Sequence, residues 1–299
     1  MSSLTKSPRY VARRALAAGR SALRCYAHKY SPKKYTQPQL FACLVLKVFF
    51  KTDYRGIVIF LEDLPDLAAV LGLRQVPHWT TLQKASHRLL VRRRVRRLLA
   101  FAIGRLLGPR RRVKRAALDS SGFECGHTSH YYARRRTKGA NGKEKVRYRR
   151  YAKLEAAFDC QTHLILGAIP RRGPAVDTDR FVPLLDEALL QVRILAALAD
   201  AGYDSEAHHR HARERRGVQS FIPAEAGRPS VKPPVGRYRR QMKQRLDKDY
   251  GSYGQRWQAE TGFSMIKRRL GSALGGRSYQ SRCRELLLWV VTYNLMLEY

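Results

Sequence analysis

Hydrophobic and polar positions follow two rhythms along this chain, and the change falls near Val113. Before it the apolar residues come in helix-length blocks. Residues 1–36 are basic and weakly patterned. The dense apolar runs Leu40–Phe50 and Tyr54–Leu61 predict buried helices. Asp63–Leu71, DLPDLAAVL, predicts a short helix stopped by Gly72. After the turn RQVPHW, the segment TTLQKASHRLLVRRRVRRLL predicts one further helix, with Thr80 or Thr81 as its N-cap. This helix, Gly-containing connection and basic second helix resemble a helix-turn-helix. Beyond Val113 the runs shorten: VKRAALD, RYAKLEAAFD and HLILGAIP predict three strands. Thr178–Leu190 predicts a capped amphipathic helix, ILAALAD a strand, Asp204–Arg216 a helix and Gly217–Pro223 a strand. The fold class is therefore α/β, a mixed sheet flanked by helices behind an all-helical N-terminal region. The expected division is 1–112, basic and DNA-binding, and 113–299, catalytic, with basic loops at 122–150 and 224–252.

The last predicted helix, Tyr253–Leu270, carries two stripes. At 100° per residue, Tyr253, Arg256, Glu260 and Lys267 share a stripe about 60° wide. Ala259, Phe263, Ile266 and Leu270 form an apolar stripe beside it. An ordinary Arg256–Glu260 pair on a solvated face would give the same pattern. A carboxylate flanked by Arg, Lys and a phenol also suits a site that holds a metal and grips a phosphate.

Charge narrows the partner. Lys and Arg number 59 against 23 Asp and Glu, a net charge of +36, while 44% of the chain is hydrophobic. That describes a folded protein facing a polyanion, with nucleic acid the expected one. The basic residues cluster at Arg92–Arg115, Arg134–Arg150 and Arg228–Lys248. From these segments Arg92, Arg93, Arg134, Arg135, Arg136, Arg239 and Arg240 are expected to contact DNA, in surface loops or on the basic helix. Five scattered cysteines suggest neither a disulfide framework nor a zinc knuckle and fit a reducing cytosol. His208, His209 and His211 read as helix surface and not as a metal site. No apolar run reaches membrane-spanning length. The acid-free start, punctuated by Arg13, Arg14, Arg20 and Arg24, imitates a transit peptide but reads better as a DNA-contacting arm in a chain short of acid throughout.

Two more carboxylates complete the candidate chemistry. Asp119, in AALDSSGFE, and Asp200, in LAALADAGYDS, are expected at strand ends, where polar side chains of an α/β sheet converge. With Glu260 they could bind two divalent cations, and hard oxygen ligands favour Mg²⁺ or Mn²⁺.

Tyr253-x2-Arg256-x3-Glu260-x6-Lys267 resembles the Y-R-E-K signature of the DDE transposases of bacterial and archaeal insertion sequences, the insertion sequence 4 and 5 groups. LDSSGFE and ADAGYDS are similar to the contexts of that family's first and second Asp, and TGFSMIKRRLG and TYNLMLEY to its C-terminal pattern. The resemblance implies a ribonuclease H-like fold with Asp119, Asp200 and Glu260 as catalytic metal ligands, two ions per site. It implies DNA cleavage at element ends and attack of the freed 3′-hydroxyl on target DNA. Tyr253, Arg256 and Lys267 would hold DNA near the cut, and terminal inverted repeats, target DNA and a second copy of the chain in a homodimeric synaptic complex would be the partners. A cytoplasmic, nucleoid-associated protein is expected. Only 60 positions separate Asp200 from Glu260, leaving little room for the β-rich insertion of some relatives. A nuclease or resolvase without strand transfer, or a DNA-binding protein with structural acids, would share much of this pattern.

Overall fold

The structure, a computed structural model, describes residues 3–126, 151–175, 178–224, 234–248, 251 and 253–298. Arg134, Arg135 and Arg136, with the basic loop around them, lie outside the described residues, as does the start of the second basic segment.

The N-terminal region holds more order than its sequence pattern predicts. Strand β1 (Ser3–Leu4) leads into helix α1 (Pro8–Ala22). The Ser7 side chain accepts the Tyr10 N–H, and Pro8 begins the helix where no donor is needed. Its buried face is mostly alanine, Ala12, Ala15, Ala18 and Ala22 beside Val11. Small side chains give little hydrophobic contrast but let two backbones meet: a Cβ on Gly19 would lie 2.8 Å from the Pro38 Cα. Helix α2 (Gln37–Phe49) starts with a Thr36–Gln39 capping box and is buried on nearly every side, as expected.

Helix α3 (Tyr54–Asp63) departs from expectation. Only Ile57 and Leu61 are buried, and Ile59 is 56% exposed. Helix α4 (Pro65–Val70) ends before Gly72, whose φ of +65° permits the turn. The long basic helix expected next is two: α5 (Trp79–Leu89) and α6 (Arg92–Leu107). The cap is His78, whose ring accepts the Thr80 N–H, and neither threonine serves.

Among the described residues, six strands form the main sheet. Strands β2 (Arg112–Cys125), β3 (Tyr151–Asp159) and β4 (Ile165–Gly173) are antiparallel neighbours. Helix α7 (Phe181–Leu189) leads to β5 (Arg193–Ala199), which pairs parallel to β2. Helix α8 (Glu206–Arg210), extended by a π-turn to Arg215, leads to β6 (Gln219–Phe221), parallel to β5. The order is β4-β3-β2-β5-β6, with the short β7 (Ala273–Leu274) beside the far end of β2. Helix α9 (Arg237–Lys248) occupies much of the second basic segment, which sequence reading took for a loop. Glu206 accepts the N–H groups of Tyr238 and Arg239 and so caps it. Then come α10 (Gln258–Leu270), α11 (Tyr279–Met296) and β8 (Leu297–Glu298), which pairs with β1.

Helices cover both faces of the sheet. Successive strand residues alternate between faces, so Phe158 and Gly167, the partner of Ala157, look opposite ways. Phe158 meets Phe263 of α10 edge-on with centroids 5.0 Å apart, and a Cβ on Gly262 would lie 2.5 Å from its ring. Gly167 lets α7 approach, since its Cβ would lie 2.9 Å from the Ala188 nitrogen. At the β4 edge, Asn294 of α11 receives the Ile165 N–H and donates to the Ile165 carbonyl. Arg14 of α1 donates to the Leu295 and Leu297 carbonyls, and the buried apolar cluster runs through both halves of the chain. No helix among the described residues is long and apolar enough to cross a membrane.

Candidate active site

Strand β2 is longer than its apolar run, so Asp119 does not end it. The strand continues to Cys125 because β3 keeps pairing with it, Asp119 lying opposite Ala156. What ends at this point is the parallel pairing with β5, whose last partners are Leu118 and Ala199. Asp119 and Asp200 are the next residues on those two adjacent strands.

The Asp119 Oδ1 accepts its neighbour Ser120's N–H at 2.7 Å. Burial pushes the Asp119 carboxyl up to about 6; the Ser120 N–H and Arg256 oppose this, while the charges of Asp200 and Glu260 add to it. Asp200 opens a 3₁₀ turn, Ala201–Tyr203, but its side chain does not cap that turn. Its Oδ1 is buried and without a hydrogen-bond partner among the described residues. Gly202 makes the space, since a Cβ there would stand 3.0 Å from that oxygen. The Thr178 hydroxyl donates to the Gly202 carbonyl at 2.8 Å and fixes the turn.

Glu260 lies in the first turn of α10, with its side chain 57% exposed and ion-paired to Arg256 at 2.5 Å. The helical wheel does not extend back to Tyr253. Tyr253–Trp257 is a 3₁₀ turn of about three residues per turn, which rotates its side chains away from α-helical positions. Tyr253 is consequently 5% exposed and belongs to the core, a correction to its expected place on a DNA-facing stripe. Arg256 stays beside Glu260, and the Lys267 Nζ sits 5.3 Å from the centre of the Phe123 ring on β2.

The predicted outer contacts divide. Arg239 is bound to the buried Asp204 carboxylate at 2.6 Å, so it clamps α9 onto the Asp200 side of the sheet and is not free for DNA, as the sequence had suggested. Arg240 is exposed. Arg92 donates to Glu187 of α7 alongside Arg96, whereas Arg93 is exposed. The histidines are not helix surface: His208 meets the Tyr203 carbonyl, the fully buried His209 meets Ser220, and His211 pairs with Asp186. All five cysteines are free.

Sequence reading missed the support beneath the site. Glu155 on β3 is fully buried against Arg171, which also binds Asp179 next to Thr178. Isolated charges in strand-like runs gave the only sign of it. The donor set suits a hard divalent cation: two carboxylates on adjacent strands, one with an unsatisfied buried oxygen. Among the described residues, however, no three His, Cys, Asp or Glu side chains are grouped closely enough to hold an ion. Glu260 stands instead in its ion pair with Arg256.

Residues 114–295 match the family model described as "Transposase DDE domain". Among solved structures, the chain is similar to the Mos1 strand transfer complex, at 12% identity over 90% of this chain and 77% of that one, with a TM-score of 0.28. It is also similar to the Mos1 mariner paired end complex with Mn, at 12% identity over 90% and 78%, with a TM-score of 0.29. No curated protein matches the chain in sequence.

Proposed function

The chain belongs to the transposase DDE domain family, and from that premise we propose that it cuts DNA at the ends of an insertion sequence and joins them to target DNA. The observation that carries this reading is the electrostatic grouping of Asp119, Asp200, Glu260 and Arg256 where β5 stops pairing with β2. Asp119 and Asp200, with Glu260 once released from Arg256, would hold two Mg²⁺ or Mn²⁺ ions. Such ions supply Lewis-acid stabilisation of the attacking and leaving oxygens in a phosphodiester displacement.

The chain's own residues do the rest. Arg256, freed from Glu260, grips a phosphate with two parallel N–H groups, and Lys267 adds a point charge two turns beyond the carboxylate. Water displaces the 3′-oxygen at the element end, leaving a 3′-hydroxyl. That hydroxyl attacks a target phosphodiester, one P–O bond forming as another breaks. The mixed sheet with helices on both faces supports the ribonuclease H-like fold that this chemistry uses. The α4–α5 pair and the basic start of α6 would serve as the DNA-binding region, with residues 113–299 catalytic. The Arg256-x3-Glu260-x6-Lys267 spacing favours the insertion sequence 4/5-like group. A homodimer bridging two ends in the cytoplasm, at the nucleoid, completes the reading.

The test is cleavage of duplexes carrying the element's own ends, with Mg²⁺, by Asp119→Asn, Asp200→Asn and Glu260→Gln. Each should lose more than the roughly 10–100-fold typical of outer residues while keeping specific binding. Retained cutting by any one removes that carboxylate from the site.

A further inference from the structure

A cavity of about 920 Å³, with charged and apolar lining residues, lies between the N-terminal helices and the connection from α10 to α11. None of Asp119, Asp200 or Glu260 lines it. Its cations come from separate elements: Lys47 at the end of α2, Lys51 just beyond, Arg277 before α11 and Arg284 within it. Two carboxylates also line it, and both are already engaged. Asp53 accepts the N–H groups of Arg55 and Gly56 at the start of α3, and Glu285 those of Gly275 and Gly276.

Lys47 is the unusual member. Among the described residues its ammonium makes no hydrogen bond and no ion pair; it rests 5.0 Å from the centre of the Tyr54 ring. Burial pulls its pKa down, only partly offset by the more distant Glu285 and Asp53 charges. Lys47 is half-buried, and a partly desolvated ammonium without a contacting counter-ion is stabilised by an anion that enters the cavity. Arg277 likewise has no partner among the described residues and is exposed at the rim. The positive end of the 18-residue helix α11 opens beside it. Leu90, Leu270 and Leu288 give the cavity an apolar wall.

We propose that this cavity binds a backbone phosphate of single-stranded DNA between Lys47 and Arg277, with the attached nucleoside against the leucine wall. The volume suits one nucleotide and not a duplex. The inference rests on the proposed function for its choice of nucleic acid over other phosphates. It extends that function by supplying a contact beyond the C-terminal end of α10, the helix that carries Glu260. Lys51, donating to the Arg268 carbonyl at 3.2 Å, ties the cavity wall to that end.

The experiment uses the full chain and a labelled single-stranded oligothymidylate without divalent cation, so neither readout depends on cutting. Lys47 acetylation by a soluble amine reagent is followed by mass spectrometry. At an oligonucleotide concentration about ten times Kd the rate should fall roughly tenfold, because only unbound protein reacts. In Arg277→Ala, an exposed change that leaves the core untouched, the slope of log K against log salt should shrink by about 0.7, one single-strand phosphate contact. Inorganic phosphate at the same salt should protect Lys47 far less than the oligonucleotide does; equal protection assigns the cavity to a free anion and overturns the proposal. Unchanged Lys47 acetylation with bound oligonucleotide, or an unchanged slope in Arg277→Ala, also overturns it. Asp119→Asn should protect Lys47 as the unaltered chain does. If, in a separate cleavage assay with Mg²⁺, that variant still cut element-end DNA while Lys47 was protected in the metal-free assay, the active-site reading would fail and the cavity would stand.

Discussion

Asp119→Asn should raise the stability of this protein at neutral pH while it removes cleavage. The Asp119 carboxyl is pushed up from 3.8 to about 6, chiefly by burial. A raised carboxyl pKa favours the protonated folded state, so the stability it contributes is full below 3.8 and is lost as pH rises through 6. At about 1.4 kcal/mol per pH unit, the ionised side chain costs the fold about 3 kcal/mol at pH 7.5. Water reaching this partly exposed group lowers the figure to about 1.5–3 kcal/mol. Asparagine carries no charge and keeps an oxygen to accept the Ser120 N–H. In thermal unfolding at pH 7.5 and low divalent cation, the variant should melt roughly 3–8 °C higher. At pH 3.5, where both folded proteins are neutral at this position, the difference should vanish. Added Mn²⁺ should raise the Tm of the unaltered chain and affect the variant less, since binding to the folded state alone stabilises it. A variant melting lower than the unaltered chain at pH 7.5, or a gain of equal size at both pH values, would refute the argument that burial of charge governs this position.

Three further outcomes follow from the same geometry. Gly202→Ala places a methyl group 3.0 Å from the Asp200 Oδ1 and should cut cleavage at least tenfold with DNA affinity unchanged in filter binding; normal turnover would show that the space around that oxygen is not used. Arg171→Met leaves the buried Glu155 without its guanidinium and should lower the urea-unfolding free energy by about 3–5 kcal/mol, a loss that Glu155→Gln in the same chain should largely recover. Arg256→Lys keeps the charge but loses the planar two-pronged contact, so cutting at the correct end should suffer more than nicking of random duplex in Mn²⁺; equal losses on the two substrates point to a plain nuclease.

The α/β class, the strand and helix order from β2 to β6, and the apolar face Ala259, Phe263, Ile266 and Leu270 were legible in the sequence. Each depends on a local period, two for half-buried strands and 3.6 for helices, which the chain carries whatever it packs against. The spacing of Asp119, Asp200 and Glu260 was legible too, as a pattern. The placement of Asp119 beside Asp200, and of α10 near them, was decided elsewhere, by the register in which Leu118 lies beside Ala199 and by Gly262 admitting α10 onto Phe158. Pairing partners hundreds of atoms apart leave no periodic trace. Local geometry also overrode the simplest extrapolations. The wheel drawn from Tyr253 failed because the first five residues wind as a 3₁₀ turn, and that sent the phenol into the core. Helix α1 was missed because its buried face is alanine, which contrasts weakly with its surroundings yet allows the closest packing on α2. The histidines at 208, 209 and 211 looked like surface because polarity says nothing of partners; the fold sets one ring nitrogen of each against Tyr203, Ser220 and Asp186 respectively. Arg239 shows the same limit. Its charge was plain in the sequence, but only the fold put a buried aspartate beside it, and an ion pair made inside the protein is a contact withheld from DNA.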